Sequence, residues 1–195
     1  IHLAAQAGVR YSLINPYIYE QSNLGGLLNI LEAIKKQAPK SKLIFASSSS
    51  VYGNSQKIPF TENDPCDQPA SLYGATKRAG ELIVQSYHHL FSIKACCLRF
   101  FTVYGSWGRP DMAYYDFTRR LYVGQPITLY QKNTKRDFTY IDDIISAIVL
   151  AIGRPFDFEI INLGNSRPVT LESFISILER ETGKKAKIKL KKLPK

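Results

Sequence analysis

The stretch S-L-Y-G-A-T-K-R-A-G, residues 71–80, carries residue types suited to proton transfer. On a helix, Tyr73 and Lys77 stand four positions apart and project from one face, a turn from each other. A phenol with an ordinary pKa of about 10 is a poor base at neutral pH, and an adjacent ammonium favours its phenolate form. Tyr73 so placed can exchange a proton with a substrate hydroxyl. Y-x-x-x-K alone is a weak signal, because many helices pair an aromatic with a solvated lysine. The stretch upstream adds to it: K-L-I-F-A-S-S-S-S-V-Y-G, residues 42–53, is an apolar run of strand formers that breaks into four hydroxyls and a glycine. In an open parallel sheet, ligands bind beyond the carboxyl ends of the strands. Ser47, Ser48, Ser49 and Ser50 would then face the same site as Tyr73.

Positioning such groups takes a strand to end at the serines and a helix to carry the tyrosine. The chain reads as strand 1–5, a glycine-containing loop, and a helix over 15–38. That helix opens at Asn15-Pro16 and carries the stripe Leu24, Leu27, Leu28, Leu31, Ile34. Next come strand 41–46, a loop rich in Pro, Asp, Asn and Ser over 47–70, helix 71–91 and strand 93–100. Strands alternating with helices imply parallel neighbours and right-handed crossovers. Beyond Phe101 the pattern predicts a loop at 105–110, helix 113–123 stopped by Gly124, strand 127–130, helix 141–152 and strand 158–163. A further helix is capped by Thr170 and closed by Gly183. The lysine-rich 184–195 alternates charged and apolar residues, as a half-buried edge strand does. The expected fold class is α/β, a Rossmann-like doubly wound parallel sheet over 1–104 with a smaller α/β lobe over 105–195, some elements of which return to the sheet.

A chain of 195 residues, 45% of them apolar, can bury a core of its own. No stretch is apolar enough to span a membrane. The net charge of +10 admits an anionic partner, yet the basic run lacks the interleaved aromatics on which bases stack. The charge by itself is compatible with nucleic acid, an anionic surface, a small acidic molecule or nothing specific. The expected partner is the small acidic molecule, with no nucleic acid and no membrane, and a nucleic-acid binder stays as an alternative. Arg109 and Arg136 are the candidates for holding the acidic molecule, since a guanidinium offers two aligned donors to phosphate or carboxylate. For Arg109 the bland alternative is a surface ion pair with Asp111. Cys96 and Cys97 fall in an apolar run and read as core, and Cys66 completes no metal or disulfide pattern, so a reduced compartment fits best. The three histidines are too few and badly spaced for a metal site, and His88 and His89 read as the exposed side of a helix end. Asp142 and Asp143 read as helix-start acids.

Taken together, A-S-S-S-S-V-Y-G, Y-x-x-x-K and L-R-F-F-T-V-Y-G at 98–105 resemble the extended short-chain dehydrogenase/reductase family, and within it the UDP-glucuronate 4-epimerases. H-L-A-A-Q-A-G-V-R-Y-S at 2–12, S-N-L-x-G at 22–26, G-S-W-G-R-P-D-M at 105–112 and R-D-F-T-Y-I-D-D-I at 136–144 support the resemblance. It implies a bound NAD and a UDP-sugar whose C4 is oxidised to a ketone and reduced on the other face. Tyr73, Lys77 and Ser48, 25 positions before Tyr73, would be catalytic. Ala4, Ala5, Asn23, Ser47, Tyr73, Lys77 and Phe100 would line the cofactor, although an asparagine on a helix also bonds backbone readily. Ser48, Ser49, Ser50, Thr102, Arg109 and Arg136 would hold the substrate, with Arg136 on the diphosphate. Ser49 and Ser50 stand where the related dehydratases carry an acidic pair, and Thr102 where the glucose-specific epimerases carry asparagine. Both departures favour a C6 carboxylate.

The resemblance also implies a cytoplasmic homodimer through the helices at 15–38 and 71–91. In that family a glycine-rich pyrophosphate turn precedes the strand that opens this chain. These residues are therefore expected to be a fragment that binds NAD poorly and is inactive alone, the complete gene product being the enzyme. UDP-glucose 4-epimerase and UDP-glucuronate decarboxylase are the nearest alternatives, and a non-catalytic dinucleotide-fold module the alternative of another class.

Overall fold

A computed structural model of the chain describes residues 1–130 and 134–191. The run L-I-F-A-S-S forms β1, Leu43–Ser48, and all six residues are buried. Continuous apolar character without alternation marks a strand covered on both faces. β2, Ala95–Phe100, lies parallel to it, and a later strand, Phe158–Leu163, lies parallel to β2 on the other side. Register places Ser47, Arg99 and Asn162 in one row, and Ser48, Phe100 and Leu163 in the next. Side chains alternate faces along a strand, so the Ser47 row shares a face with Phe45, Cys97 and Ile160.

That face is covered by two helices, α2 (Gly26–Gln37) and α3 (Leu72–Phe91). Leu27, Leu31, Phe45, Val84, Ile93 and Cys97 form the core between them. Gly80 permits the close approach, since a Cβ there would meet the Phe45 ring at 2.7 Å. α3 begins at Ser71, whose Oγ accepts the Gly74 N–H at 3.1 Å, and ends at a left-handed Ser92. The result is a Rossmann-like α/β fold with a parallel sheet flanked by helices.

The chain divides into two compact units. The first holds residues 1–101 and 144–163, and the second residues 102–143 and 164 onward. In the second unit β3 (Thr102–Tyr104) pairs in parallel with β6 (Phe138–Tyr140), and β4 (Ile127–Leu129) in parallel with β9 (Ile188–Leu190). β5 (Lys135–Arg136) pairs antiparallel with β8 (Val169–Thr170). α4 (Ala113–Tyr122) and α6 (Leu171–Thr182) contribute Phe117 and Ile175 to a core shared with Ile127 and Leu129. α5, Ile141–Gly153, connects into β7, the strand at 158–163. No described helix is long and apolar enough to cross a membrane.

Four expectations need correction. Only His2 of residues 1–5 bonds to β1, donating its N–H to the Ile44 carbonyl at 2.8 Å, and Ile1 and Leu3 remain exposed. The helix at 15–38 is three segments in series: α1 (Tyr17–Tyr19), a π-helical turn (Glu20–Gly25) and α2. β9 is exposed throughout rather than half-buried. It has one hydrogen-bonded neighbour, and Ala186 before it supplies the core contact. The lysine-rich expectation over 192–195 lies outside the described residues. His88 is half-buried rather than exposed, stacked on Phe158 with Nδ1 3.1 Å from the Ile93 carbonyl.

Candidate active site

The serine run is divided by the fold. Ser47 and Ser48 end β1, while Ser49 and Ser50 open a 3-10 turn, Ser49–Tyr52. Ser48 caps that turn: its Oγ accepts the Ser50 N–H at 3.1 Å, which leaves its own proton to donate elsewhere. Ser49 and Ser50 are half-buried. Ser47 points to the helix-covered face, where its hydroxyl donates to Glu81 at 2.5 Å.

The turn packs on the start of α3. A Cβ on Gly74 would meet the Ser50 carbonyl oxygen at 2.5 Å, so the residue after Tyr73 must be glycine for the serines to lie this close. Gly74→Ala gains helix propensity of about 1 kcal/mol, but backbone rather than a flexible side chain stands in its way. Strain of about 1–3 kcal/mol should outweigh that gain, for a net loss of up to about 2 kcal/mol, read as a lowered urea midpoint. A variant at least as stable as the parent would show that the contact is not tight.

Tyr73 is half-buried, with its ring edge-on to Tyr19 at 6.3 Å between centroids. Lys77 is 4% exposed. Its ammonium lies 6.0 Å from the Tyr73 ring centroid and 5.2 Å from that of Phe45, and it donates to the Ala46 carbonyl at 2.7 Å. Burial lowers the Lys77 pKa from its ordinary 10.5 to about 8. The native state therefore resists protonating Lys77, at a cost of about 3 kcal/mol once the pH lies below both values. Between about pH 8 and 10.5 the unfolded chain binds the proton more readily, so the penalty shrinks as pH rises through that window. Lys77→Met is expected to be more stable by about 2 kcal/mol at pH 7, after about 1 kcal/mol for the lost hydrogen bond. That advantage should disappear towards pH 10. Urea unfolding at both pH values checks the sign, and an advantage that grew with pH would contradict it.

Asn23, on the π turn, is buried and its amide is committed within the fold. It accepts from the Gln6 N–H at 2.8 Å and donates to the Gln6 carbonyl at 3.1 Å and to Thr76 Oγ1 at 3.0 Å. It thereby ties the loop after Ala4 and Ala5 to α3. Ala4 is exposed and Ala5 half-buried, two and three residues past the His2 bridge to β1, and Phe100 is half-buried at the end of β2. The first unit thus brings Ala4, Ala5, Asn23, Ser47 to Ser50, Tyr73, Lys77 and Phe100 to one end of its sheet. Thr102, Arg109 and Arg136 belong to the second unit. There Thr102 is half-buried on β3, next to Phe138 in register. Arg109 is exposed and holds Asp111 through two bonds, Nε at 3.0 Å and Nη2 at 2.5 Å. Arg136, exposed on β5, donates to the Lys135 carbonyl at 2.8 Å.

Glu81 and Arg99 were not anticipated from the sequence. They form an ion pair with neither side chain exposed to solvent. Burial pushes the Glu81 carboxyl up, but bonds from Arg99 and Ser47 outweigh it and hold the group below its ordinary range. The available signal was an arginine inside the apolar run A-C-C-L-R-F, since a charge in a buried strand requires a partner.

The family model for the NAD dependent epimerase/dehydratase family matches residues 1–164. The chain belongs to this family. UDP-glucuronate 4-epimerase 1 of Arabidopsis thaliana is 47% identical over an alignment of 211 positions, covering 100% of this chain and 49% of its own. A solved UDP-glucuronic acid 4-epimerase of Bacillus cereus, in complex with UDP-glucuronic acid and NAD, is 37% identical at a TM-score of 0.89. That match covers 98% of this chain and 62% of the other. A UDP-glucose 4-epimerase of Thermotoga maritima, solved with UDP-glucose, is 30% identical at the same TM-score and covers 100% and 64%. The present epimerase/dehydratase chain spans about half the length of the curated relatives it matches.

Proposed function

We propose that the protein containing this chain is an NAD-dependent 4-epimerase of a UDP-sugar, acting on UDP-glucuronate to give UDP-galacturonate. The observation that carries the reading is the buried Lys77 ammonium beside Tyr73 at the serine-lined end of β1. Its similarity to UDP-glucuronate 4-epimerases supports the choice of sugar.

Tyr73, as phenolate, takes the C4 hydroxyl proton, and Ser48 hydrogen-bonds the same oxygen and helps pass the proton. NAD, when bound, supplies a hydride acceptor that later returns the hydride. The donor set suits the ribose of that cofactor. An ammonium has three donors, and among the described contacts of Lys77 the Ala46 carbonyl takes one. Ala4, Ala5 and Phe100 offer apolar surface beside it, and Asn23 fixes the loop that carries the alanines. Ser49, Ser50 and Thr102 donate to the sugar carboxylate. Arg109 and Arg136 offer the paired donors for anionic groups of the substrate, with Arg136 assigned to the diphosphate. Arg109 must exchange Asp111 for the ligand, an exposed pair that costs little to break.

Residues 105–195 would supply most of the sugar-nucleotide lobe, and two copies would pair through helices 15–38 and 71–91. The compartment we infer is the cytoplasm, with Cys66, Cys96 and Cys97 free and buried.

Proton NMR of the protein mixed with UDP-glucuronate and UDP-glucose together, with no NAD added, tests the reading. UDP-galacturonate alone is the expected product, and its appearance would mean that the cofactor is retained. UDP-galactose instead would overturn the roles of Ser49, Ser50 and Thr102 while leaving Tyr73 and Lys77. The Thermotoga maritima relative makes that second reading a specific one. Loss of carbon dioxide would point to a decarboxylase.

A further inference from the structure

Glu81 and Arg99 are 1% and 0% exposed and are untouched by the chemistry proposed above. Arg99 holds the Glu81 carboxylate as a fork, Nε to Oε1 at 2.9 Å and Nη2 to Oε2 at 2.8 Å. Ser47 of β1 donates to Oε1 at 2.5 Å, and Arg78 donates to Oε2 at 3.0 Å. Arg99 Nη1 reaches on to Tyr52 Oη at 2.9 Å and to the Glu62 carbonyl at 3.3 Å. Tyr52 in turn donates to Asn162 Oδ1 at 2.6 Å. Arg78 Nη2 donates to the Pro65 carbonyl at 3.1 Å.

These partners have a pattern. Glu81 lies one helical turn beyond Lys77 and two beyond Tyr73, on the same side of α3. Ser47 precedes Ser48 on β1. Tyr52 closes the serine turn, and the Glu62 and Pro65 carbonyls belong to the connection between that turn and α3. A single carboxylate therefore touches the strand that presents Ser48, the helix that presents Tyr73 and, through two arginines, the segment joining them. The apolar contacts of Val84, Leu27 and Phe45 are non-directional, whereas a two-bond guanidinium–carboxylate fork fixes orientation as well as distance.

We propose that the Glu81–Arg99 pair sets the rotation and axial position of α3 on β1, and so the geometry of Tyr73, Lys77 and Ser48. Glu81 and Arg99 are positioning residues. The proposal rests on reading those three as the reacting groups. Stability alone is a poor reason for such a pair, because well-packed apolar residues often replace a buried ion pair at no loss.

The test compares wild type, Glu81→Gln and the double variant Glu81→Leu/Arg99→Met, each with and without Tyr73→Phe. The difference in tyrosinate absorbance within each pair gives the Tyr73 titration midpoint without any substrate. Turnover of UDP-glucuronate gives kcat and KM. With Lys77 displaced from Tyr73, the midpoint should rise by about one unit. kcat should fall about 10²-fold, as for a misplacement of about 1 Å, with KM unchanged. The double variant should show both effects at a melting temperature equal to or above that of the parent, which a merely structural pair would not. Glu81→Gln serves if the double variant does not fold. An unmoved midpoint and kcat with a lowered melting temperature would overturn the proposal. So would a midpoint that falls, since removing a negative charge acts directly in that direction. If wild type turns over no UDP-sugar but the midpoint still rises, the positioning role stands and the epimerase reading falls.

Discussion

In the proposed reaction, Tyr73→Phe should reduce C4 epimerisation by about 10²–10⁴-fold, the range a positioned proton-transfer group contributes. The substitution removes one oxygen and keeps the ring, so the edge-on contact with Tyr19 survives. The helix around it is held by Ser71 at its cap and by Lys77 and Glu81 further along. The melting temperature should therefore stay close to that of the parent. Lys77 remains charged and buried in the variant, so cofactor and sugar nucleotide should still bind, and the loss should fall on kcat. A variant with near-parental kcat would remove Tyr73 from the chemistry.

Arg99→Met should be among the most destabilising single substitutions in the chain, by about 3–5 kcal/mol, because it removes the two-bond partner of the buried Glu81 carboxylate and leaves only Arg78 and Ser47 to hold the charge. Against a total of about 5–15 kcal/mol for a domain, that is a large fraction. The loss should depend on pH. In the parent, the depressed Glu81 value contributes stability that is present above the unfolded carboxylate value and lost as pH falls through the native one. In the variant, burial without Arg99 raises the native value, so instability sets in as pH rises above the unfolded value of about 4.3. The gap between parent and variant should be full at pH 7, narrow as pH falls towards 4, and close further only as pH drops through the parent's depressed native value. A gap that is constant with pH would mean that the loss is one of packing rather than of charge.

Much of the fold was legible because local signals agreed with the tertiary outcome. Ser71 announced α3, and the structure begins that helix at the next residue. Thr170 and Gly183 bracketed α6, and the strand at 158–163 matched end to end. Expectations failed where an element depends on a neighbour. Residues 1–5 look like a strand by composition, yet a strand exists only along the edge it pairs with, and here only His2 pairs. The alternation after Lys184 promised a half-buried face that β9 does not have. At the site, Tyr73, Lys77 and the serine turn were readable from spacing. The Glu81–Arg99 pair was not, since 18 positions and a helix-to-strand crossing separate the two. The commitment of Asn23 to Gln6 and Thr76 depends on a loop path that sequence does not state.

The π turn at Glu20–Gly25 has a consequence for the whole N-terminal helix. A turn that closes one residue later than an α turn holds an extra residue without breaking the rod. The two ends of the helix are thus out of phase by about 100° relative to an uninterrupted one. Downstream, Leu27 and Leu31 face the sheet, while upstream Tyr19 faces the Gly8 carbonyl and Tyr73. Deleting one residue inside the turn would leave a regular helix and an intact core, with its upstream end turned away from Tyr73. The register of this one helix is therefore a place where a change in length, with no change in side-chain chemistry, would separate folding from function.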